Sequence, residues 1–259
     1  MAQPGIVYLI YHELEVPGRP SVQSEPGYVR YILREATFRS QIDWLRDNGW
    51  RGLNVSEALR STGEKSVAIT FDDGCETDLI AAAPILHEAG FHATFYVTAG
   101  FLNQPGHLTS GQLRELSSSG LEIGCHSMTH AYLNDLNPQQ LQAEIVAARS
   151  KLEGLISHKV EHFSCPGGRY SQHALAVARQ AGYRSVATSR ACPNQSSTDP
   201  FRLGRVAVMR DTSPSAFEKI CTAESLWKIR LSESLRTSVR KIIGNAVYDR
   251  LRKAALRQP

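Results

Sequence analysis

No two of the five cysteines (Cys75, Cys125, Cys165, Cys192, Cys221) are spaced as CxxC, and their number is odd. This pattern points to reduced thiols in a cytoplasmic setting. No apolar run approaches the roughly 20 residues that cross a bilayer. The N-terminus, MAQPGIVYLIYHEL, lacks a basic region, and Tyr11-His12 interrupt its apolar stretch, so no signal peptide is expected. Charge of one sign is also lacking: 29 Lys+Arg against 25 Asp+Glu leave +4 over 259 residues, too little to argue for a nucleic-acid partner. There is no fixed short repeat and no low-complexity tract. A content of 42% hydrophobic and 21% charged residues excludes disordered, collagenous and coiled-coil chains.

What charge there is lies unevenly. From Arg210 onward there are eleven Lys/Arg and five Asp/Glu, so this stretch is +6 and residues 1–209 are −2. The shift sets a boundary near Thr212-Ser213-Pro214, giving a body at 1–212 and a basic helical C-terminal extension at 213–259. In the extension Leu235, Val239, Ile242 and Ala246 form an apolar stripe among Arg236, Arg240, Lys241, Arg250, Arg252 and Lys253. Two readings fit: a helix packed on the body, or peripheral contact with an anionic membrane surface. Nucleic acid is not expected, since no aromatics interleave the basic residues.

The body alternates short β-branched or aromatic runs with helical stretches. Strands are expected at 6–11, 67–71, 93–97, 121–125, 163–165, 185–188 and 206–209. Helices are expected at 37–48, 77–88, after Thr109, from Pro138 to Leu155 and near 171–181. Such alternation implies an α/β fold with a parallel sheet, and both an open sheet and a closed barrel fit. In either, chemistry collects at the C-terminal ends of strands.

Three polar clusters fall at those ends. Thr70-Phe71-Asp72-Asp73-Gly74 places adjacent carboxylates where Gly74 permits a turn. A cation would offset their repulsion and give each a separate role. His126-Ser127-Met128-Thr129-His130 offers imidazoles at i and i+4, which converge if the segment is a helical turn. Phe163-Ser164-Cys165-Pro166-Gly167-Gly168-Arg169-Tyr170 offers a glycine turn whose N–H groups can approach a ligand, and Arg169, able to orient a carboxylate or bind an anion. One carboxylate and two histidines leave open positions on a metal, as catalysis needs, and the spare carboxylate can serve as a base.

TFDDG at 70–74 and HSMTH at 126–130, in that order and spacing, resemble the first two motifs of the polysaccharide deacetylase family, carbohydrate esterase family 4, across approximately residues 6–210. The resemblance implies a distorted (β/α) barrel with fewer strands than eight. It implies that Asp73, His126 and His130 hold a divalent ion, usually zinc, and that Asp72 is the general base that deprotonates metal-bound water. It implies a hydrolase that removes acetate from an N-acetylated sugar in a polysaccharide, oligosaccharide or lipid-linked glycan. Gly167 is the candidate backbone N–H for the oxyanion. The chain departs from the family pattern twice. Ser164-Cys165 stand where the third motif often carries an arginine before the proline, which leaves Arg169 as the candidate to orient the base. The late Leu-His-Asp motif is missing, and no histidine follows His173. A branch of the family that looks circularly permuted begins with a Tyr-His segment, which makes His12 the candidate general acid. Two rival functions stay open: a non-sugar amide hydrolase on the same site, and a catalytically silent glycan-binding barrel.

Overall fold

The computed structural model describes residues 5–61, 65–231 and 250. Among these described residues there are ten strands: β1 (Val7–Tyr11), β2 (Leu14–Glu15), β3 (Leu33–Arg34), β4 (Arg51–Leu53), β5 (Ser66–Asp73), β6 (Thr94–Val97), β7 (Glu122–Cys125), β8 (His162–Ser164), β9 (Ser185–Ala187) and β10 (Val206–Ala207). Seven of them form a parallel ring in the order β10-β1-β5-β6-β7-β8-β9. β4 pairs with the first half of β5, and β6 with its second half. The two-residue strands β2 and β3 pair apart from the ring. At the far edge Leu203 bridges Ala187, while Val206 pairs with Leu9 on β1. The segment 203–207 therefore touches both edges and curls the sheet into a barrel.

The period-2 alternation of strands sorts the side chains between two cores. Leu9, Tyr11, Val67, Ile69, Phe71 and Phe95 join the outer core beneath the helices. Tyr8, Ala68, Tyr96, Ala187 and Leu203 fill the barrel interior. The outer core is aromatic at its centre: the Phe71 ring lies 4.9 Å from Phe95 and 5.3 Å from Tyr11. Phe38, from helix Glu35–Asp47, meets both Tyr11 and Phe71 edge-on.

The helices start and stop where their caps predict. Thr109 and Asn137 each close a capping box, with Gln112 and Gln140 as the reciprocating residues. Gly90 ends the helix Ala83–Ala89 in the left-handed conformation. π-turns at Asp78–Ala82 and Gln142–Ala147 interrupt two helices that the sequence reads as regular. The helix Pro214–Cys221, capped by Ser213, buries Phe217, Ile220 and Cys221 in the outer core, with Phe217 edge-on to Trp44 at 5.9 Å. This helix, on the C-terminal side of the charge boundary at 212/213, packs on the body. The apolar stripe at 235–246 lies outside the described residues.

Candidate metal centre and base

On β5, Ala68, Thr70 and Asp72 alternate toward the barrel interior, and Asp73 by the same rule would point away. The backbone prevents that: Asp73 has φ +81° and is followed by Gly74 at +80°. Left-handed backbone is tolerated by aspartate better than by most residues. The turn brings both carboxylates to the C-terminal mouth, beside His126, whose Nε2 lies 3.8 Å from Asp72 Oδ2 and 3.6 Å from Asp73 Oδ1. His130 Nε2 lies 3.5 Å from the same Asp73 oxygen. The 126–130 segment is a bend rather than a helical turn. Positive φ at Ser127 (+68°) and His130 (+63°) does the converging.

Asp73, His126 and His130 are the one His/Cys/Asp/Glu group among the described residues whose ligand atoms all lie within 4.8 Å of one another. Two observations fit this trio to a cation. Asp73 Oδ1 is buried with no hydrogen-bond partner, a costly state for a carboxylate oxygen. The Nδ1–H of His126 donates to the Ser164 carbonyl at 2.9 Å, which leaves Nε2 as a lone pair facing Asp73. Burial, against the pull of Asp72, lowers the His126 imidazole to about 4, so it is neutral at neutral pH, as a ligand must be. Asp78 is also buried, with both oxygens unpartnered. Burial first, then the charges of Asp73 and Asp72, pushes its carboxyl well above the carboxylate range.

Glu144, from the second π-turn, fastens the histidine loop. Its carboxylate accepts the backbone N–H groups of Met128 (2.9 Å) and Thr129 (2.8 Å) and the Thr129 hydroxyl (2.6 Å). Sequence reasoning misses this residue because only a fold brings it back to the loop. Glu144→Ala is expected to weaken zinc affinity by about 10–100-fold, as loss of an outer support typically does. Competition with a chromophoric chelator measures it, and unchanged affinity would show that the loop holds itself.

Arg205 holds Asp72, the candidate base. It is fully buried and immediately precedes β10. Its Nη1 and Nη2 donate to Asp72 Oδ1 and Oδ2, both at 2.8 Å, in a two-pronged pair. Further donations reach Ser164 Oγ (2.6 Å), Thr70 Oγ1 (3.0 Å) and the Thr188 carbonyl (3.1 Å). Burial alone would raise the Asp72 carboxyl. Arg205, with His126, more than reverses this and holds it well below the usual carboxylate range. The sequence offers Arg169 for this task; in the structure the two-pronged pair to Asp72 is made by Arg205, and the Arg169 guanidinium stacks on the Tyr132 ring at 3.7 Å. A sequence signal for Arg205 exists, a lone cation in the apolar run LGRVAV, where a charge must find a buried partner.

His12 directly follows β1, so the seam of the barrel delivers it to the same mouth as Arg205. Its ring packs against Tyr31 at 4.9 Å, and its Nδ1 is buried without a hydrogen-bond partner. Gly167 follows β8 in a tight turn at φ +58°, with Gly168 at +66°. A Cβ on Gly168 would lie 2.7 Å from Ser189 N, and one on Gly167 3.0 Å from the Tyr132 ring, so the turn needs glycine at both positions.

A metal-ready aspartate and two histidines at the mouth of a parallel (β/α) barrel, with an ionised second carboxylate beside them, define a class of metal-dependent hydrolases. Comparison with known proteins narrows this. The polysaccharide deacetylase family model matches residues 59–186. A Bacillus subtilis relative, YxkH, whose name places it among the polysaccharide deacetylases, is 33% identical over 188 residues, 70% of this chain and 67% of its own length. The chain belongs to the polysaccharide deacetylase family. The solved structure of the Streptococcus pyogenes deacetylase PplD in complex with acetate shares the fold at TM-score 0.74 and 22% identity, covering 84% of this chain and 98% of that one. IcaB from Ammonifex degensii does so at TM-score 0.70 and 25% identity, covering 85% and 97%.

Proposed function

We propose that this chain hydrolyses the acetamide of an N-acetylated glycan. Asp73, His126 and His130 would hold the divalent ion, and two imidazoles with one carboxylate suit zinc. When bound, such an ion supplies Lewis-acid polarisation of the acetyl carbonyl and of water. Asp72, ionised and aimed by Arg205, takes the proton from the attacking water. The Gly167 N–H would receive the developing oxyanion, and His12 would give a proton to the departing amine.

The observation that carries this reading is the Arg205–Asp72 pair. A silent glycan-binding barrel has no use for a buried, ionised carboxylate that is not needed as a ligand, because burying the two charges costs free energy. The polysaccharide in the relative's name supports sugar over other amides. The odd, widely spaced set of five cysteines is the basis for a reducing, cytoplasmic setting. No helix among the described residues is long and apolar enough to cross a membrane.

Acetate release from chitooligosaccharides and from an N-acetyl amino acid, measured with zinc bound and after chelation, tests the proposal. Metal-dependent release from the sugar, lost in His130→Ala together with near-stoichiometric zinc, is the expected result. Stoichiometric zinc with release from the amino acid alone would move the function to non-sugar amides. A native chain that takes up no zinc, cobalt or nickel would leave the binding barrel as the account.

A further inference from the structure

Past the helix Pro214–Cys221 the chain runs into a second helical stretch, residues 226–231. It is apolar on two sides. Leu226 is buried in the outer core, and Ile229 packs against that core. Trp227 and Leu231, one turn apart, face the other way and are 64% and 58% exposed. Ile80, at 37%, is the only other exposed large hydrophobic among the described residues. The Lys228 ammonium lies 5.4 Å from the Trp227 ring centroid. A helix that merely fastened the chain end to the barrel would be apolar on its inner side alone. The four-residue spacing from Trp227 to Leu231 continues in the sequence to Leu235 and Val239 and, after a step of three, from Ile242 to Ala246. The sequence from Arg210 onward carries eleven basic and five acidic side chains.

We propose that Trp227 and Leu231 anchor this protein on an anionic bilayer surface, with the basic residues of the C-terminal stretch supplying the attraction. Tryptophan beside a lysine suits the headgroup boundary, where an amphipathic ring and a cation are both accommodated. Excess positive charge near such a surface draws the chain in within a Debye length, and apolar insertion then holds it. A second copy of the chain is a poorer occupant, because it would bring an equally basic stretch against the first. The inference does not rest on the acetyl-sugar reading, since docking needs neither metal nor substrate.

The full-length protein is sedimented with phosphatidylcholine vesicles, with and without phosphatidylglycerol. Binding is expected with phosphatidylglycerol only and is expected to weaken in high salt. Trp227→Ser/Leu231→Ser is expected to lower the partition coefficient by about tenfold, with an unchanged melting temperature, because both residues are exposed. Brominated acyl chains are expected to quench tryptophan fluorescence in the wild type and not in Trp227→Phe. Equal partitioning of the double variant would overturn the anchor and leave only charge. Quenching that persists in Trp227→Phe would place the insertion elsewhere. Self-association of the wild type that the double variant abolishes would assign the face to a second copy.

Discussion

Arg205→Met is expected to remove nearly all acetate release and to destabilise the chain by about 3–5 kcal/mol, the usual cost of leaving one charge of a buried pair alone. Asp72 would then be a buried carboxyl without its fork, free to rotate away from the water it is proposed to deprotonate. Loss of a positioned base typically costs about 10²–10⁴-fold in rate. Arg205→Lys is expected to recover part of the stability and little of the rate. An ammonium restores charge but cannot make two parallel bonds to Asp72 while also meeting Ser164, Thr70 and Thr188. Asp72→Asn placed on Arg205→Met is expected to return stability toward wild type while the chain stays inactive. Urea unfolding of the two singles and the double gives a coupling energy, expected at about 1–3 kcal/mol. A single Arg205→Met variant with wild-type stability would mean that the pair is incidental.

Asp73→Asn is expected to reverse its rank against the wild type when zinc is added. Without metal, Asp73 presents a buried oxygen with no donor, next to a second carboxylate held ionised by Arg205. An asparagine removes that like charge and offers N–H groups to the His126 and His130 nitrogens, which lie 3.6 and 3.5 Å from the oxygen it would replace. The metal-free variant is therefore expected to be at least as stable as the metal-free wild type. In zinc at a thousand times the dissociation constant, the wild type alone gains about 4 kcal/mol. Calorimetric melting with and without chelator reads both halves. A variant that melts lower than the wild type in chelator would show that the carboxylate is satisfied without a cation.

Legibility of the sequence followed the range of the interaction. The Asp72-Asp73-Gly74 and His126–His130 clusters could be found because each is compact in the chain and ends a recognisable strand. Their convergence could not be read in detail: the positive φ at Asp73, Ser127 and His130 is imposed by the fold, and a helical turn is the wrong geometry for the histidines. Strands of two or three residues, such as β2, β3 and β4, are too short to show a period of two. Arg205 lies 133 positions from Asp72, and no local pattern links them. Arg169 attracts attention because it sits in the glycine turn, yet its stacking on Tyr132 belongs to the wall of the mouth.

The seam of the barrel adds a condition on timing. The first strand is completed by the last: β1 pairs with β10, and the residue that opens the closing segment to Asp72 is Arg205 itself. During synthesis the motifs at 70–74 and 126–130 emerge long before residue 205. A chain of that length would own every predicted metal ligand and a base with nothing to aim it. Under the proposed mechanism hydrolysis waits on ring closure: a barrel that stops short of Arg205 is expected to be chemically silent, and turnover would report that β1 and β10 have met.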